Sequence, residues 1–381
     1  MKRTLLTLAL IAGMATMVLA DEAAALMSAG SGAAPAAGRV TLYTFFVNIV
    51  AEPFRFPLIG FFNMMLGSHT LPQIGFINNN TGDFATAQVG FVNTVGGNVA
   101  GMQTGFVNTV VGNTSGAQFG FINTSMGEVR GTQFGFVNTS ASTTTGVHFG
   151  FVNISRGGVT GKQIGFVNTS LGNTTGMQLG MINTSRGKMR GPQLGFVNST
   201  AGVLNGVQFG FFNFVDSIEE GIPIGFISIV RHGGFRAVEY TFSEFFPASV
   251  GLKLGVDRFY TTISVAYNTA GGDRWDNYLA IGFGIGSIIP IGASFFFNPE
   301  LMNFTPLIHR SGVHQLVSFT PLAGFNINRH FSITAGPSVT WSRVSGNVDT
   351  PMEHLFSIMT HEINDRHSIV VGARASLRLR F

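Results

Sequence analysis

Apolar and polar positions follow two different patterns along this chain. From residue 45 to 228 a string such as "QFGFVN" returns every fifteen residues: Gly stands at 60, 75, 90 and on to 225 without an insertion, and Phe45 holds the same phase one step earlier. Three positions after each Gly comes Asn, at Asn63, Asn78, Asn93, Asn108, Asn123, Asn138, Asn153, Asn168, Asn183, Asn198 and Asn213, until Ser228 breaks the series. Two positions before the Gly comes Gln, from Gln73 to Gln208, replaced by His148 and Pro223. From residue 235 onward the period of two persists, but no unit repeats.

A fixed period without slippage marks a repeat architecture, in which each unit contacts its neighbours. Fifteen residues are too few for a helix pair. Period-two alternation in "QFGFVN" puts Phe134 and Phe136 on one face and Gln133, Gly135 and Val137 on the other. Each unit therefore reads as a strand with a tight return, Gly and Asn supplying the turns. In a parallel β-solenoid, identical residues stack. Phe then sits on Phe in the core, and Asn on Asn in a ladder whose amides bond to one another and to turn backbone. The alternative is an antiparallel meander, which makes the repeats strands of a larger barrel. The segments between strands alternate between charged ("MGEVRG", 126–131; "RGGVTG", 156–161) and uncharged ("VGNTSG", 111–116; "ASTTTG", 141–146). That predicts a true period of thirty. The apolar part of a repeat strand is only two residues deep, too shallow to span a bilayer, so the solenoid is favoured.

The last segment, "SIVVGARASLRLRF", alternates Ile369, Val371, Ala373, Ala375, Leu377, Leu379 and Phe381 with Gly, Ser and three Arg, and only Val370 breaks the polar face. Similar alternation predicts eight strands, at 235–243, 249–256, 259–267, 278–287, 289–297, 315–325, 331–342 and 368–381. Closing such a set makes the first and last strands neighbours. Arg236 and Glu239 are then expected in the lumen, with Arg374, Ser376, Arg378 and Arg380 facing them. A carboxylate in a narrow lumen needs a partner, so Glu239 is expected to pair with Arg374 or Arg378. Connections 1–2, 3–4, 5–6 and 7–8 grow from about five to about twenty-five residues, while the others stay at about two to four. This is the asymmetry of outer-membrane barrels, whose short turns are periplasmic.

Composition narrows the class. Charged residues make up 10% of the 381, Gly numbers 51, Phe 38 and Cys none. No stretch past the N-terminus holds eighteen consecutive apolar residues, so no transmembrane helix is available, and apolar content without an apolar run points to many one-faced strands. A formal charge of +4 without a Lys/Arg block speaks against nucleic acid. Residues 1–20 carry the "MKR" start, the apolar core and the small-residue end of a signal peptide. Residues 21–40 read as a linker, 41–232 as the β-repeat domain and 233–381 as the barrel.

Units such as "GTQFGFVN" (131–138) and "GKQIGFVN" (161–168) resemble the bacterial surface-repeat proteins, over residues 45–228. That resemblance implies no activity and carries no catalytic, cofactor or metal residues over. The C-terminal segment ending in Phe381 resembles the closing strand of small outer-membrane β-barrels. It implies outer-membrane lipid and the barrel-assembly machinery as partners, with the repeats periplasmic or surface-exposed and an unknown ligand or protein on the repeat face. The expectation is thus an all-β outer-membrane protein with a structural or binding role and no enzyme activity. The rival reading is a lipid A deacylase-like barrel enzyme, because "IHRSG" (308–312) holds a His-x-Ser pair, His309 and Ser311. His354 and His361 lie seven apart in a loop, without metal-site geometry. The "NTS" triplets at Asn123, Asn138, Asn168 and Asn183 match a glycosylation acceptor and read instead as repeat structure.

Overall fold

The computed structural model describes residues 42–268, 279–307, 312–346 and 354–381. The expected signal peptide and linker, and the pair His309 and Ser311, lie outside them. Among the described residues every regular element is a strand. The chain divides into two compact units, Met1–Gly195 and Phe196–Phe381.

In the first unit the repeats stack as a parallel β-solenoid. Each residue pairs with the one fifteen further on, as in Asn108↔Asn123, Gln118↔Gln133 and Phe134↔Phe149. Parallel pairing throughout these rungs excludes the meander. One coil is fifteen residues, not thirty. It consists of a longer arm such as Thr114–Phe119 and a shorter arm such as Ile122–Ser125, joined at the repeat glycine. The alternation of thirty is compositional: successive coils exchange an inward Val (Val129, Val159) for a Thr (Thr114, Thr144, Thr174). The Thr hydroxyls meet a Ser across the coil, for example Thr114 Oγ1 to Ser125 Oγ at 3.1 Å.

The core of the coil is the reverse of the expectation. Gln133 and Asn138 are fully buried, while Phe134 and Phe136 point outward at 49% and 44% exposure. Phe does stack on Phe, but outside. The period-two pattern misled because the corner at Gly135 shifts its parity, so that Gln133 and Asn138, five apart, both face in. The space beside this corner is taken by the preceding coil: a Cβ on Gly135 would stand 2.0 Å from Gly120 O and 2.6 Å from Asn123 Nδ2. Glycine thus leaves the space that the Asn amide of the preceding coil occupies. Gly131 has φ +140, which any L side chain strains.

The second unit begins with further coils, Val197–Asn205, Val207–Ile218 and Ile222–His232. A closed antiparallel barrel of eight strands follows: β1 Phe235–Ser243, β2 Ala248–Val256, β3 Phe259–Tyr267, β4 Leu279–Gly286, β5 Phe295–Pro306, β6 Gly312–Asn326, β7 Phe331–Gly346 and β8 His367–Arg380. Pairing of β1 with β8, Val238↔Leu379 and Glu239↔Arg378, closes it. β5 begins at Phe295, near the end of the expected 289–297, and runs on to Pro306. Ile289–Pro290 is only a short strand folded back on Phe296 and Phe297, and β5 was concealed because its inward face mixes Asn298 and Glu300 with Phe296, Met302 and Phe304. The loop asymmetry changes accordingly. Connections 244–247, 268–278, 307–311 and 347–366 share one end and 257–258, 287–294 and 327–330 the other, so neither the steady growth nor the uniformly short turns hold. Connection 347–366 contains the strand Met359–Asn364, which pairs with the start of β8.

Candidate functional site: buried polar networks and the aromatic edge

Each coil contributes two side-chain amides to its interior. Asn138 Nδ2 donates to Asn153 Oδ1 at 2.9 Å and to the Phe149 carbonyl at 3.0 Å. The same pair of bonds recurs at Asn93, Asn108, Asn123, Asn153 and Asn168, and Asn183 donates to the Leu194 carbonyl. In the second unit Asn198 donates to Asn213 and to the Phe209 carbonyl. Such groups are costly to bury unless bonded, and here each Nδ2 has two acceptors. In the first unit the ladder begins where Thr44 N–H donates to Asn48 Oδ1, and in the second it ends on Ser228, whose hydroxyl receives Asn213 at 3.2 Å. Asn63 is an interior rung, receiving Asn48 and donating to Asn78. The "NTS" asparagines Asn123, Asn138, Asn168 and Asn183 are all buried rungs in the folded chain.

A second ladder runs through the glutamines, and its polarity is opposite. Gln88 donates back to Gln73, Gln103 to Gln88, Gln118 to Gln103 and Gln133 to Gln118, at 2.6–2.8 Å, whereas each Asn donates forward. His148 interrupts it. Its ring is fully buried, its Nε2 lies 3.3 Å from Thr144 Oγ1, and its Nδ1 and the Oε1 of Gln133 have no hydrogen-bond partner. Burial lowers this imidazole from 6.5 to about 4.

The barrel interior is charged. Glu239 receives Arg374 Nη2 at 3.0 Å and Arg378 Nη2 at 2.7 Å, and Lys253 Nζ lies 3.1 Å away. Glu300 is paired with Lys253, with Arg374 at 2.9 Å and with Arg378 at 3.5 Å. The Tyr260 hydroxyl donates to Glu300, and Asn298 bridges Tyr260 and Arg378. Two carboxylates thus face three cations, all buried. Hydrophobic groups close the network on both sides. Phe235 and Phe296 lie against the Arg378 guanidinium, at 5.6 and 5.7 Å, and Phe245, Phe246, Met302, Phe304 and Leu316 fill the end where connection 244–247 turns inward. Glu244, from that connection, accepts hydroxyls from Ser338 at 2.6 Å and Thr340 at 2.7 Å.

Sequence reasoning brings Glu239, Arg374 and Arg378 to one place, and the structure places all three there. Arg236 is a correction. It shares the outward parity of Val238, and its guanidinium lies over the ring of Phe381, 6.0 Å from the centroid. The Phe381 amide bonds to the Arg236 carbonyl at the barrel seam. Lys253, Tyr260, Asn298 and Glu300 were missed. Lys253 stands opposite the Val250–Leu252–Leu254 face and was open to the same parity argument, while Glu300 fell beyond the expected β5. No group of three or more metal-ligating side chains occurs among the described residues.

The outside of the coils carries one further order. Rings from Phe46 through Phe61, Phe76, Phe91, Phe106, Phe121, Phe136 and Phe151 to Phe166 stack with consecutive centroids 4.8–5.2 Å apart and planes within 6°. No protein-family model, curated protein or solved structure matches the chain.

Proposed function

We propose that this protein is a bacterial outer-membrane scaffold: the eight-stranded barrel anchors it in the lipid, and the solenoid presents a regular surface to a partner or to neighbouring structure. The observation that carries the reading is the inverted polarity of the barrel. Outward positions along the strands are Val238, Tyr240, Phe242, Val250, Leu252, Val265, Ile281, Ile333, Leu377 and Leu379, all exposed. Inward positions hold Glu239, Lys253, Glu300, Arg374 and Arg378, all buried. A water-soluble barrel has the opposite arrangement, because exposed apolar surface costs about 25 cal/mol per Å² in water. A hydrocarbon solvent removes that cost and demands closure without a free strand edge.

The packed, ion-paired lumen favours an anchor over a channel. The resemblance of the repeats to bacterial surface-repeat proteins points the same way. Fractionation of cells expressing the full chain, with heat-modifiable migration on gels, tests the reading. The folded barrel is expected in the outer-membrane fraction as a fast-migrating band that slows on boiling. Recovery of the folded chain from the soluble periplasm overturns the assignment.

A further inference from the structure

The solenoid is amphipathic along its length. Between Leu42 and Gly195 every Asp, Glu, Lys and Arg except Lys162 stands six to ten residues after the repeat glycine phase, as Asp83, Glu128, Arg130, Arg156 and Lys188 do. The Phe column stands one residue after that glycine. A second apolar column stands one before it, with Ile74 at 45%, Phe119 at 39% and Phe149 at 44% exposure. Charges therefore follow one edge of the coil and stacked rings the other. Lys162, twelve after the glycine, has a stem long enough to reach away from the apolar edge.

What this edge faces is indicated in the second unit. There the same repeat phase carries Phe196, Phe211 and Phe226, stacked at 5.1 and 4.7 Å. Phe226 then stacks on Phe283 of the barrel, centroids 4.9 Å apart and planes at 14°. Phe283 shares the outward parity of Ile281 and Ile285 on β4. The same coil is fastened to the wall by Thr261 Oγ1, which donates to the Phe226 carbonyl at 3.0 Å. The aromatic edge is thus continuous with the outer wall of the barrel. Resting on the reading of that wall as lipid-facing, we infer that the Phe edge of the coils is itself a membrane-contacting surface, taking acyl chains at the membrane boundary, with the charged edge in water or among headgroups. Large aromatic groups on one side and charge on the other is the arrangement by which amphipathic elements lie in an interface. The Met1–Gly195 unit carries an edge of the same composition, and the inference assigns it the same class of occupant, acyl chains. A second copy of the chain is the disfavoured occupant, since a copy covering the column at Phe226 would also meet the wall at Phe283.

Two native tryptophans make the test direct. Trp341 shares the outward parity of Val339 on β7, so the full chain with Trp275→Phe reports on the wall. The double change Trp275→Phe, Trp341→Phe, combined with Phe121→Trp, Phe211→Trp or Ser115→Trp, reports on the aromatic edge twice and on the opposite edge once. Each protein is reconstituted in phosphatidylcholine vesicles with plain or brominated acyl chains, its folding checked by circular dichroism. The wall reporter and both Phe→Trp reporters are expected to lose about half their emission to bromine, and Ser115→Trp almost none. A quenched wall with unquenched Phe121→Trp and Phe211→Trp overturns this inference and leaves the anchor standing. An unquenched Trp341 in folded protein overturns the anchor itself. Blue-shifted, unquenched edge reporters that redden on dilution identify a second copy as the occupant, and equal quenching of Ser115→Trp removes the sidedness; both overturn the inference.

Discussion

Both halves of this molecule bury polar side chains, and they do so by opposite means. The solenoid interior is neutral, built of Asn and Gln ladders in which each amide bonds to its copy fifteen residues away. The barrel interior is ionic, built of Glu239, Lys253, Glu300, Arg374 and Arg378, drawn from four strands up to 139 residues apart in sequence. A neutral ladder needs only that one register repeat. A charge network needs each partner to arrive, because removing one leaves another buried without compensation. The first interior tolerates extension by whole units, whereas the second is specified once.

The sharpest way to break this comparison is Glu239→Gln, which leaves Arg374 and Arg378 with Glu300 as their remaining carboxylate. A destabilisation of about 3–5 kcal/mol is expected, with Glu239→Gln/Arg378→Ala costing less than the sum of its parts. Urea titration of the barrel, read by heat-modifiable migration, measures both; simple additivity contradicts a shared network.

Acid is the next largest lever, and it acts on the solenoid. Burial holds His148 at about 4 against an ordinary 6.5, so protonation favours the unfolded chain. The stability associated with a neutral His148 is complete above about pH 6.5 and falls by about 1.4 kcal/mol per unit down to about pH 4. His148→Gln completes the Gln ladder and is expected to abolish that part of the acid dependence, as seen in thermal unfolding between pH 7 and pH 4.5. An unchanged slope places His148 outside the ladder argument.

Single rungs come third. Asn138→Ala removes the donor to Phe149 O and to Asn153, and is expected to cost about 1–3 kcal/mol. Asn48→Ala, at the capped end, should cost less, and Asn63→Ala should behave as an interior rung. Hydrogen exchange of amides in the neighbouring coils separates these cases. Phe121→Ala should be the mildest, at about 1 kcal/mol, because its ring stacks outside the coil. A loss at Phe121 exceeding that at Asn138 would place the stabilising column on the wrong side of the coil.

Much of this was legible in the chain itself. An uninterrupted period of fifteen determines a repeat architecture and favours in-register stacking over a meander, and the alternation of the last strands points to an antiparallel barrel whose β1 and β8 bring Glu239 to Arg374 and Arg378. Both follow from local periodicity, which each residue reports about its own neighbours. Three things were decided only by tertiary structure. Which face of the repeat is inside depends on a parity shift at Gly135, and that glycine is fixed by the close approach of the Asn123 amide from the coil before it. The start of β5, and with it Glu300, depends on cross-strand pairing with β4 and β6, because an inward face of Asn, Glu, Met and Phe has no hydropathy signature. The meeting of the aromatic column with Phe283 depends on how the last coil packs against a wall formed much later in the chain. Periodicity is a one-dimensional record of neighbours; inside and outside are settled only when distant segments compete for the same space.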